Sequence, residues 1–525
     1  MKLVELAIFQ GSLKAKALKM IDVHTILAGF ADALTLHNLF FVWFGIIVGQ
    51  FVGAIPGIGP VMAMAIAIPF TFTLNPLPAI GFLMGVSKGG LVGGAIPAIL
   101  INTPGTPDAA ATTLDGYPMT KNGKPEKATK MALYSSVTGD AFSDIVLITV
   151  APFIAVVALK MGPIEIFALM VFAFSIIAGL VGDSMAKGIA SAGLGLLCAT
   201  VGLDPENSSP RFIFGYFELY DGIPLVSMAL GMLAVSEILR RMARIRGKIV
   251  SAVVVPQAQN KADRRVSFAE FWACKYTILR GSVIGTILGA IPGLDSSAAS
   301  FLSYATAKQA SGDPGSFGKG NIHGVAATES ANSAVAGANL IPLLTLGIPG
   351  NLAAALIISA LMIHGIQPGP LLFQEQGQLI YGLFGTLLMA NVLNLVSGLL
   401  GIRLWARVIQ APESIIFPAA LLLCVTGVYL ATGGMFGVAV MFAFAFLGYL
   451  MSSFGYSVIV FVIAFFLGER FELSLSQSLN IIDGNLTLLL SHPVALLLLA
   501  MAIISIFWFG FGVKIKGTPA EVKSS

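Results

Sequence analysis

Charge is scarce in this chain. Asp, Glu, Lys and Arg supply 11% of its 525 residues, against roughly 25% in an ordinary soluble domain. So few polar groups cannot cover a soluble body of this size, and the apolar excess excludes a disordered chain. The charges nearly balance: 30 Lys and Arg against 26 Asp and Glu leave +4, too small a bias to mark a nucleic-acid partner. Cysteine is sparse as well. Cys198, Cys274 and Cys424 stand far apart beside apolar stretches, so no disulfide or metal framework follows and they read as small packing residues. The 5 histidines include no pair at zinc spacing; His323 and His364 read as hydrogen-bonded loop or helix-end residues. No Walker A motif exists, because Gly318-Lys319 lacks the upstream Gly and the following Ser or Thr. No cofactor is expected.

What the chain has instead is apolar length. Hydrophobic residues make up 56% and the mean hydropathy is +0.89. A spanning helix needs about 20 apolar residues, and such stretches lie near 38–56, 78–101, 134–160, 163–182, 186–203, 224–240, 277–292, 331–348, 378–402, 414–432, 434–451, 456–468 and 492–512. The fold class is an all-α polytopic membrane protein with roughly 10–13 spanning helices. With Gly 58 and Pro 26, many helices should be broken or closely packed. Four apolar stretches, 60–74, 104–115, 294–307 and 351–366, are too short to cross. Residues 1–37 read as an N-terminal segment without a cleavage site, with Ile21 to Leu36 amphipathic and interfacial. Met1 and Met20 are both candidate starts. Residues 38–240 and 277–512 form two membrane halves, joined by a basic linker at 241–276 that the positive-inside rule places in the cytoplasm. Residues 513–525 are a polar tail.

The halves repeat each other. Gly53-Ala-Ile-Pro-Gly57 recurs as Gly289-Ala-Ile-Pro-Gly293, and Ile96-Pro97 with Thr103-Pro104-Gly105 matches Ile341-Pro342 with Ile348-Pro349-Gly350. Late in each half an Arg-Phe pair precedes an Asp-Gly pair: Arg211-Phe212 with Asp221-Gly222, and Arg470-Phe471 with Asp483-Gly484. Three matches in one order exceed what composition produces. Equivalent loops differ in charge. Lys121, Lys124, Lys127 and Lys130 follow the second short segment of the first half, while 367–378 has no basic residue; Lys308 and Lys319 have no counterpart in 74–78. This bias points to inverted repeats, although Lys14, Lys16 and Lys19 argue the other way if they directly precede the first span.

Each short segment starts at a Pro/Gly break, where the helical ladder must stop. Thr106 is a good N-cap with Pro107 as first helical residue and Asp108 in the first turn. Asn351, Gly59-Pro60 and Asp295-Ser296 play the same part elsewhere. Four half-helix N-termini inside the membrane would present free N–H groups and positive dipole ends to carboxylates. The candidate substrate-binding residues are therefore Pro56, Gly57, Gly59, Asn102, Thr103, Pro104, Gly105, Thr106, Pro292, Gly293, Ser296, Ser297, Pro349, Gly350 and Asn351. The alternative is that these Pro-Gly pairs merely kink packed helices.

Three long motifs carry a resemblance: Gly53 to Phe72 (GAIPGIGPVMAMAIAIPFTF), Ala98 to Met119 (AILINTPGTPDAAATTLDGYPM), and Gly318 to Phe373, which contains GIPGN. They resemble the large membrane subunit of tripartite tricarboxylate transporters (TctA-like), and the likeness runs from about Ile21 to Gly512. The resemblance implies a bacterial inner-membrane permease that works with a small membrane subunit (TctB-like) and a periplasmic solute-binding protein (TctC-like). It also implies uptake of citrate or other carboxylates driven by an ion gradient, Na+ or H+. Two positions depart from that pattern: Lys88 stands where an aromatic is usual, and Asp295 where small neutral residues are usual. They either tune the charge that the pocket prefers, or serve as a snorkelling lysine and a helix cap.

Other polar residues lie at depth. Glu329 and Asn332 are candidates for the coupling ion, with Glu329 alternatively a cap to the following helix. Asp140 and Asp144, four apart on one helix face, belong either to a cation path or to an interfacial contact. Glu165, Asp183 and Glu237 sit at span ends. Gly85-Val86-Ser87-Lys88-Gly89 matches the G-x-S-x-G pattern of a serine hydrolase, but strand, turn and helix context and a paired His are missing, so no enzyme is expected. A channel or exporter is the nearer rival. The sequence reading is a carrier with its substrate near the midplane, moving the site-bearing segments against a scaffold of 134–240 and 378–512 in an elevator motion.

Overall fold

The computed structural model describes residues 23–55, 59–181, 184–244, 260–408 and 413–511. They form an α-helical bundle whose one sheet, among the described residues, pairs β1 (Gly202–Leu203) with β2 (Pro210–Arg211). The first half runs through α1 (Val23–Ala33), α2 (Leu36–Gly53), α3 (Pro60–Thr71), α4 (Pro76–Ile101), α5 (Thr113–Lys121), α6 (Pro125–Ala158), α7 (Pro163–Val181), α8 (Met185–Ala199), α9 (Leu225–Ala229) and α10 (Ser236–Arg244). A π-helical turn, Leu230–Val235, joins α9 to α10. The second half runs through α11 (Phe268–Ala273), α12 (Lys275–Gly289), α13 (Ser296–Gln309), α14 (Ile322–Ala338), α15 (Leu340–Leu346), α16 (Leu352–Ile363), α17 (Leu372–Glu375), α18 (Gly377–Val408), α19 (Glu413–Thr432), α20 (Met435–Ser453), α21 (Val458–Ile482) and α22 (Pro493–Phe511). Five of these helices are long and apolar enough to cross a bilayer, and several shorter apolar ones pack among them. The burial pattern inverts that of a soluble protein: Leu400, Leu422, Leu430 and Leu497 are exposed, while Lys88, Asp140, Asp144 and Glu329 are buried.

Most spans match the apolar stretches. Two differ. The stretch read as 331–348 begins at Ile322 and divides after Ala338, so Glu329 lies within a helix and is not a cap to the next. The stretch read as ending at 468 continues to Ile482; there Arg470 donates to the carbonyls of Leu346, at the end of α15, and Pro368 and Glu472 pairs with Arg211, so these charges are answered by the protein. Residues 1–22, most of the basic linker and the 513–525 tail lie outside the described residues; α1 packs on α18.

Glycine faces set the packing. In α2, a Cβ on Gly45, Gly49 or Gly53 would strike the carbonyl oxygens of Phe82, Val86 or Gly90 in α4. In the second half, Cβ atoms on Gly281, Gly285 and Gly289 of α12 would strike α14 near Ala327 O, Ala331 O and Val335. The contact thus recurs pair for pair in the two halves, and it lets the backbones approach closely, as small residues do between membrane helices. The long helices then cross over: α6 of the first half packs on α12 and α14, and α18 of the second half packs on α2 and α4. This places α6 and α18 with the site-bearing segments, so the sequence-based division that put 134–158 and 378–408 in the scaffold does not follow the packing. A second group comprises α7, α8, α21 and α22, with α9, α10, α19 and α20 packed together beside α3.

The connecting loops gather at two ends. At one, a groove is lined by Asp32, His37, Asn75, Pro78 and Gln376, which places the α3–α4 turn beside the start of α18. At the other, Asp115 accepts hydrogen bonds from the backbone N–H groups of Gly318, Gly320 and Asn321 at 2.8–2.9 Å, and Lys127 pairs with Glu270 at 2.7 Å. The α2–α3 hairpin therefore has its open end in the first cluster and the α12–α13 hairpin in the second.

Replacing Gly49 or Gly285 by Val should lower stability by about 1–3 kcal/mol through overpacking, measured as an earlier thermal unfolding transition of the purified protein. At the loop end, burial opposes the charge on Glu270, but its bonds to Lys127 and Ser267 outweigh this and hold the carboxyl below its usual value. That depressed value means the contact is complete above about pH 4.5 and is lost as pH falls below it. Its side chain is 38% exposed, so solvent screening keeps the contribution under ~1 kcal/mol. Glu270→Ala should speed hydrogen exchange in 266–273 at neutral pH by a few-fold, and the difference from the parent should vanish in acid.

Candidate functional site

The helices are interrupted, not bent. The α2–α3 hairpin reverses between Gly53 and Pro60, with Gly59 as N-cap and Pro60 in the first turn; Pro56 and Gly57 lie outside the described residues. The α4 helix stops at Asn102, whose backbone is left-handed at φ 57°, a conformation Asn tolerates better than most residues. Thr106 then accepts from Ala109 N–H at 3.1 Å. Only a four-residue 3₁₀ turn, Pro107–Ala110, follows before α5, so 104–115 is not the half-helix its sequence predicts; three of the four breaks open into longer helices. In the second half, the α12–α13 hairpin turns at Pro292-Gly293, and Asp295 caps α13 by accepting from Ser296 N–H at 2.9 Å. Gly347 ends α15, and Asn351 caps α16 by accepting from Ala354 N–H at 2.9 Å.

Within each half the hairpin tip meets the broken crossing helix. Gly105 N–H donates to Gly94 O at 3.2 Å, and a Cβ on Gly105 would lie 2.5 Å from Gly53 O. A Cβ on Gly59 would lie 3.7 Å from the Thr106 methyl. In the second half Gly293 N–H donates to Gly350 O at 2.8 Å, and Pro349 and Gly350 are buried. The halves meet where Ser297 Oγ donates to Asp108 Oδ1 at 3.1 Å. Asn102, Thr103 and Asp295 are exposed and Pro104, Pro292 and Ser297 half-buried, whereas Thr106 and Ser296 are covered. Asp295 is reachable by water yet densely surrounded by protein, which is the condition of a group lining a cleft.

Two buried polar clusters flank the breaks. In the first, both oxygens of Glu329 accept hydroxyl bonds, from Thr112 at 2.5 Å and Ser136 at 2.9 Å. Asn332, one turn along α14, is fully buried beside the Glu329 carboxylate, and neither its nitrogen nor its oxygen has another hydrogen-bond partner among the described residues. Asn339 is likewise buried, with no hydrogen-bond partner among the described residues, and its oxygen lies where a Cβ on Gly350 would be, at 2.6 Å. Asp108 lies within electrostatic reach of Asp295 and Glu329, and none of the three carboxylates has a basic partner in an ion pair among the described residues. In the second cluster Lys88 Nζ lies 3.0 Å from Asp140 and 2.9 Å from Asp144 and donates to Asn391 at 2.9 Å. A chain of amides continues outward: Asn394 donates to Lys88 O, Gln50 donates to Asn394, and Trp405 Nε1 donates to Gln50 Oε1 at 2.9 Å. Lys88 does not snorkel, and Asp140 and Asp144 are not interfacial; all three are at most 2% exposed.

The sequence reading did not single out Thr112, Ser136, Asn339, Asn391, Asn394 or Gln50. Asn391, Asn394 and Gln50 each stand inside an otherwise apolar span, a signal of internal polar contact. It also missed Arg470 as part of a break: the guanidinium donates to Leu346 O and Pro368 O, covering carbonyls at the end of α15, where a cation suits the dipole.

The chemistry of this arrangement is twofold. Helix N-termini offer amide hydrogens to an anion, and uncompensated carboxylates with hydroxyls beside them offer oxygens to a cation. Residues 39–463 match the family described as "Tripartite tricarboxylate transporter TctA family". The chain is 35% identical over 485 residues to an uncharacterized 52.8 kDa protein in the TAR-I ttuC' 3'region of Agrobacterium vitis, covering 90% of this chain and 93% of that one. It is 35% identical over 222 residues to an uncharacterized protein in the TAR-II ttuC' 3'region of the same organism, covering 42% of this chain and 92% of that one. No solved structure matches.

Removing Lys88 would strand two buried carboxylates. Lys88→Ala should destabilise the protein by ~3–5 kcal/mol, whereas Thr106→Ala should cost about 1 kcal/mol as a lost cap. Denaturation of the two purified variants under identical conditions checks the order.

Proposed function

Since the chain belongs to the tripartite tricarboxylate transporter TctA family, we propose that it is an ion-driven carrier for carboxylates, working at the bacterial inner membrane with a small membrane subunit and a periplasmic solute-binding protein. It is a multi-pass transport protein and not an enzyme. The observation that carries the finer reading is the junction at the midpoint of the fold, where the two breaks of each half touch and Ser297 bonds Asp108 across the halves. In this reading Asn102, Thr103, Ser297 and Asn351 and the backbone around Pro56-Gly57, Pro104-Gly105, Pro292-Gly293 and Pro349-Gly350 receive the substrate carboxylates. The opposite ends at which the two hairpins open support an inverted arrangement of the halves.

The acidic groups give the coupling its logic. An anion approaching Asp108, Asp295 and Glu329 meets three carboxyl groups, and the repulsion is strongest deep in the cleft, where Glu329 is fully buried. A cation bound first lowers that barrier. Glu329 and Asn332, with the Thr112 and Ser136 hydroxyls, provide hard oxygen ligands suited to Na+, and Glu329 alone suffices for H+. Substrate and cation then enter together because each cancels the charge that excludes the other. The movement in this reading carries α2–α6, α12–α16 and α18 as one body against α7–α10 and α19–α22. A channel with the same geometry would need no such cancellation.

In proteoliposomes, citrate and the smaller dicarboxylates should exchange saturably and accumulate under a Na+ or pH gradient. Glu329→Gln should cut accumulation by about tenfold or more, and Asp295→Ala should change the rank order among di- and tricarboxylates. Passive flux without saturation or counterflow would instead identify a pore.

A further inference from the structure

The Lys88 cluster carries one negative charge too many. One ammonium faces two carboxylates, Asp140 and Asp144, and all three side chains are almost wholly out of contact with solvent. Lys88 Nζ donates to Asp144 Oδ2 and Asn391 Oδ1 at 2.9 Å each and pairs with Asp140 Oδ1 at 3.0 Å as an ion contact. Neither Asp140 Oδ1 nor Asp144 Oδ1 has a hydrogen bond among the described residues. Asp144 Oδ1 points at Gly337 of α14, where a Cβ would lie 2.6 Å away, so the other half of the protein closes over it with bare backbone. An unpaired buried charge costs several kcal/mol, and no other cation in the described structure reaches it. The ionisable groups facing the cluster are Lys88 from α4, Asp140 and Asp144 from α6, and, one turn along α6 through Ser136, Glu329 from α14. The elements α2 and α18 bring only amides, Gln50, Asn391 and Asn394.

We propose that Asp140 and Asp144 together form a proton-binding site, held by Lys88 and separate from the ion site at Glu329. A metal ion does not fit here: Lys88 Nζ already stands between the carboxylates at 3.0 and 2.9 Å, and a second cation would be pushed out by the first. A proton needs no ligand sphere and neutralises the surplus in place. It comes from water on one side and returns to water, so that only an O–H bond forms and breaks. The cluster ties α4, which ends at the Asn102 break, to α6 and α18, so its charge belongs to the body that holds the candidate substrate. In the carrier reading, transport therefore moves a proton in addition to whatever ion Glu329 takes. That last consequence rests on the proposed function; the proton site itself does not.

The test is difference infrared spectroscopy of the purified full chain in lipid at one neutral pH, reading the carbonyl stretch of protonated carboxylic acids. Asp140→Asn removes the surplus charge and leaves a balanced Lys88–Asp144 pair, so the spectrum should lose one carboxylic acid. Asn391→Asp adds a carboxyl of nearly the same shape beside Asp144, and the spectrum should gain one, because the new group must donate where the Asn391 amide now donates at 2.7 Å. Glu329→Gln identifies and subtracts the separate Glu329 contribution. An Asp140→Asn spectrum identical to the parent overturns the proposal. If that variant does not fold, Asn391→Asp decides: a gain supports the site, and no gain overturns it. Citrate counterflow on the parent protein tests the carrier reading independently, and its failure would leave the infrared result standing.

Discussion

A bilayer supplies no water to a backbone that stops being helical, so every interruption must be answered from within the protein. Here the answer is proximity. Glycine faces allow α2 to lie against α4 and α12 against α14 with carbonyls almost in contact with Cα atoms. Only at that separation does each hairpin tip reach the break of its partner, so that Gly105 lies against Gly53 O and Gly293 N–H donates to Gly350 O. Ordinary side chains at these positions would hold the helices apart, and the free backbone groups would face lipid.

Proximity then dictates the polar interior. Once the interruptions lie together, their side chains and dipoles share one small volume, and charges buried within it are screened less than in water. Some are settled internally, as Lys88 is by Asp140 and Asp144 and as Asp115 is by the loop of the opposite half. Others are not: among the described residues Asn339 has no hydrogen-bond partner and Asn332 none beyond the Glu329 carboxylate beside it, and Asp108 and Asp295 lie within electrostatic reach of each other without a cation. A structural interior rarely retains such groups. In the carrier reading proposed above, they are the contacts offered to what passes through.

Local grammar was legible in the sequence, and long-range placement was not. Caps are decided by residues adjacent in the chain, so Gly59, Thr106, Asp295 and Asn351 take the places their neighbours dictate. The 104–115 segment escaped, because Thr112, in the gap between the 3₁₀ turn and α5, bonds to Glu329 of the second half, a contact that no local pattern reports. Glu329 escaped for the same reason: a polar run looks like a span end until Thr112 and Ser136 arrive from elsewhere to satisfy it. Lys88 stayed open between a pocket residue and a snorkelling lysine, for want of any sign that Asp140 and Asp144 would stand beside it. The role of α6 and α18 was hidden in the same way, since crossing over to the other half leaves no mark on either helix's own hydropathy.

The two hairpin tips occupy equivalent places but are not equivalent objects. Gly59 caps α3 with no side chain at all, while Asp295 caps α13 with a carboxylate. Duplicate tips would present the same charge. These do not, and so the doubled architecture carries an electrical polarity of its own, inscribed by a single residue.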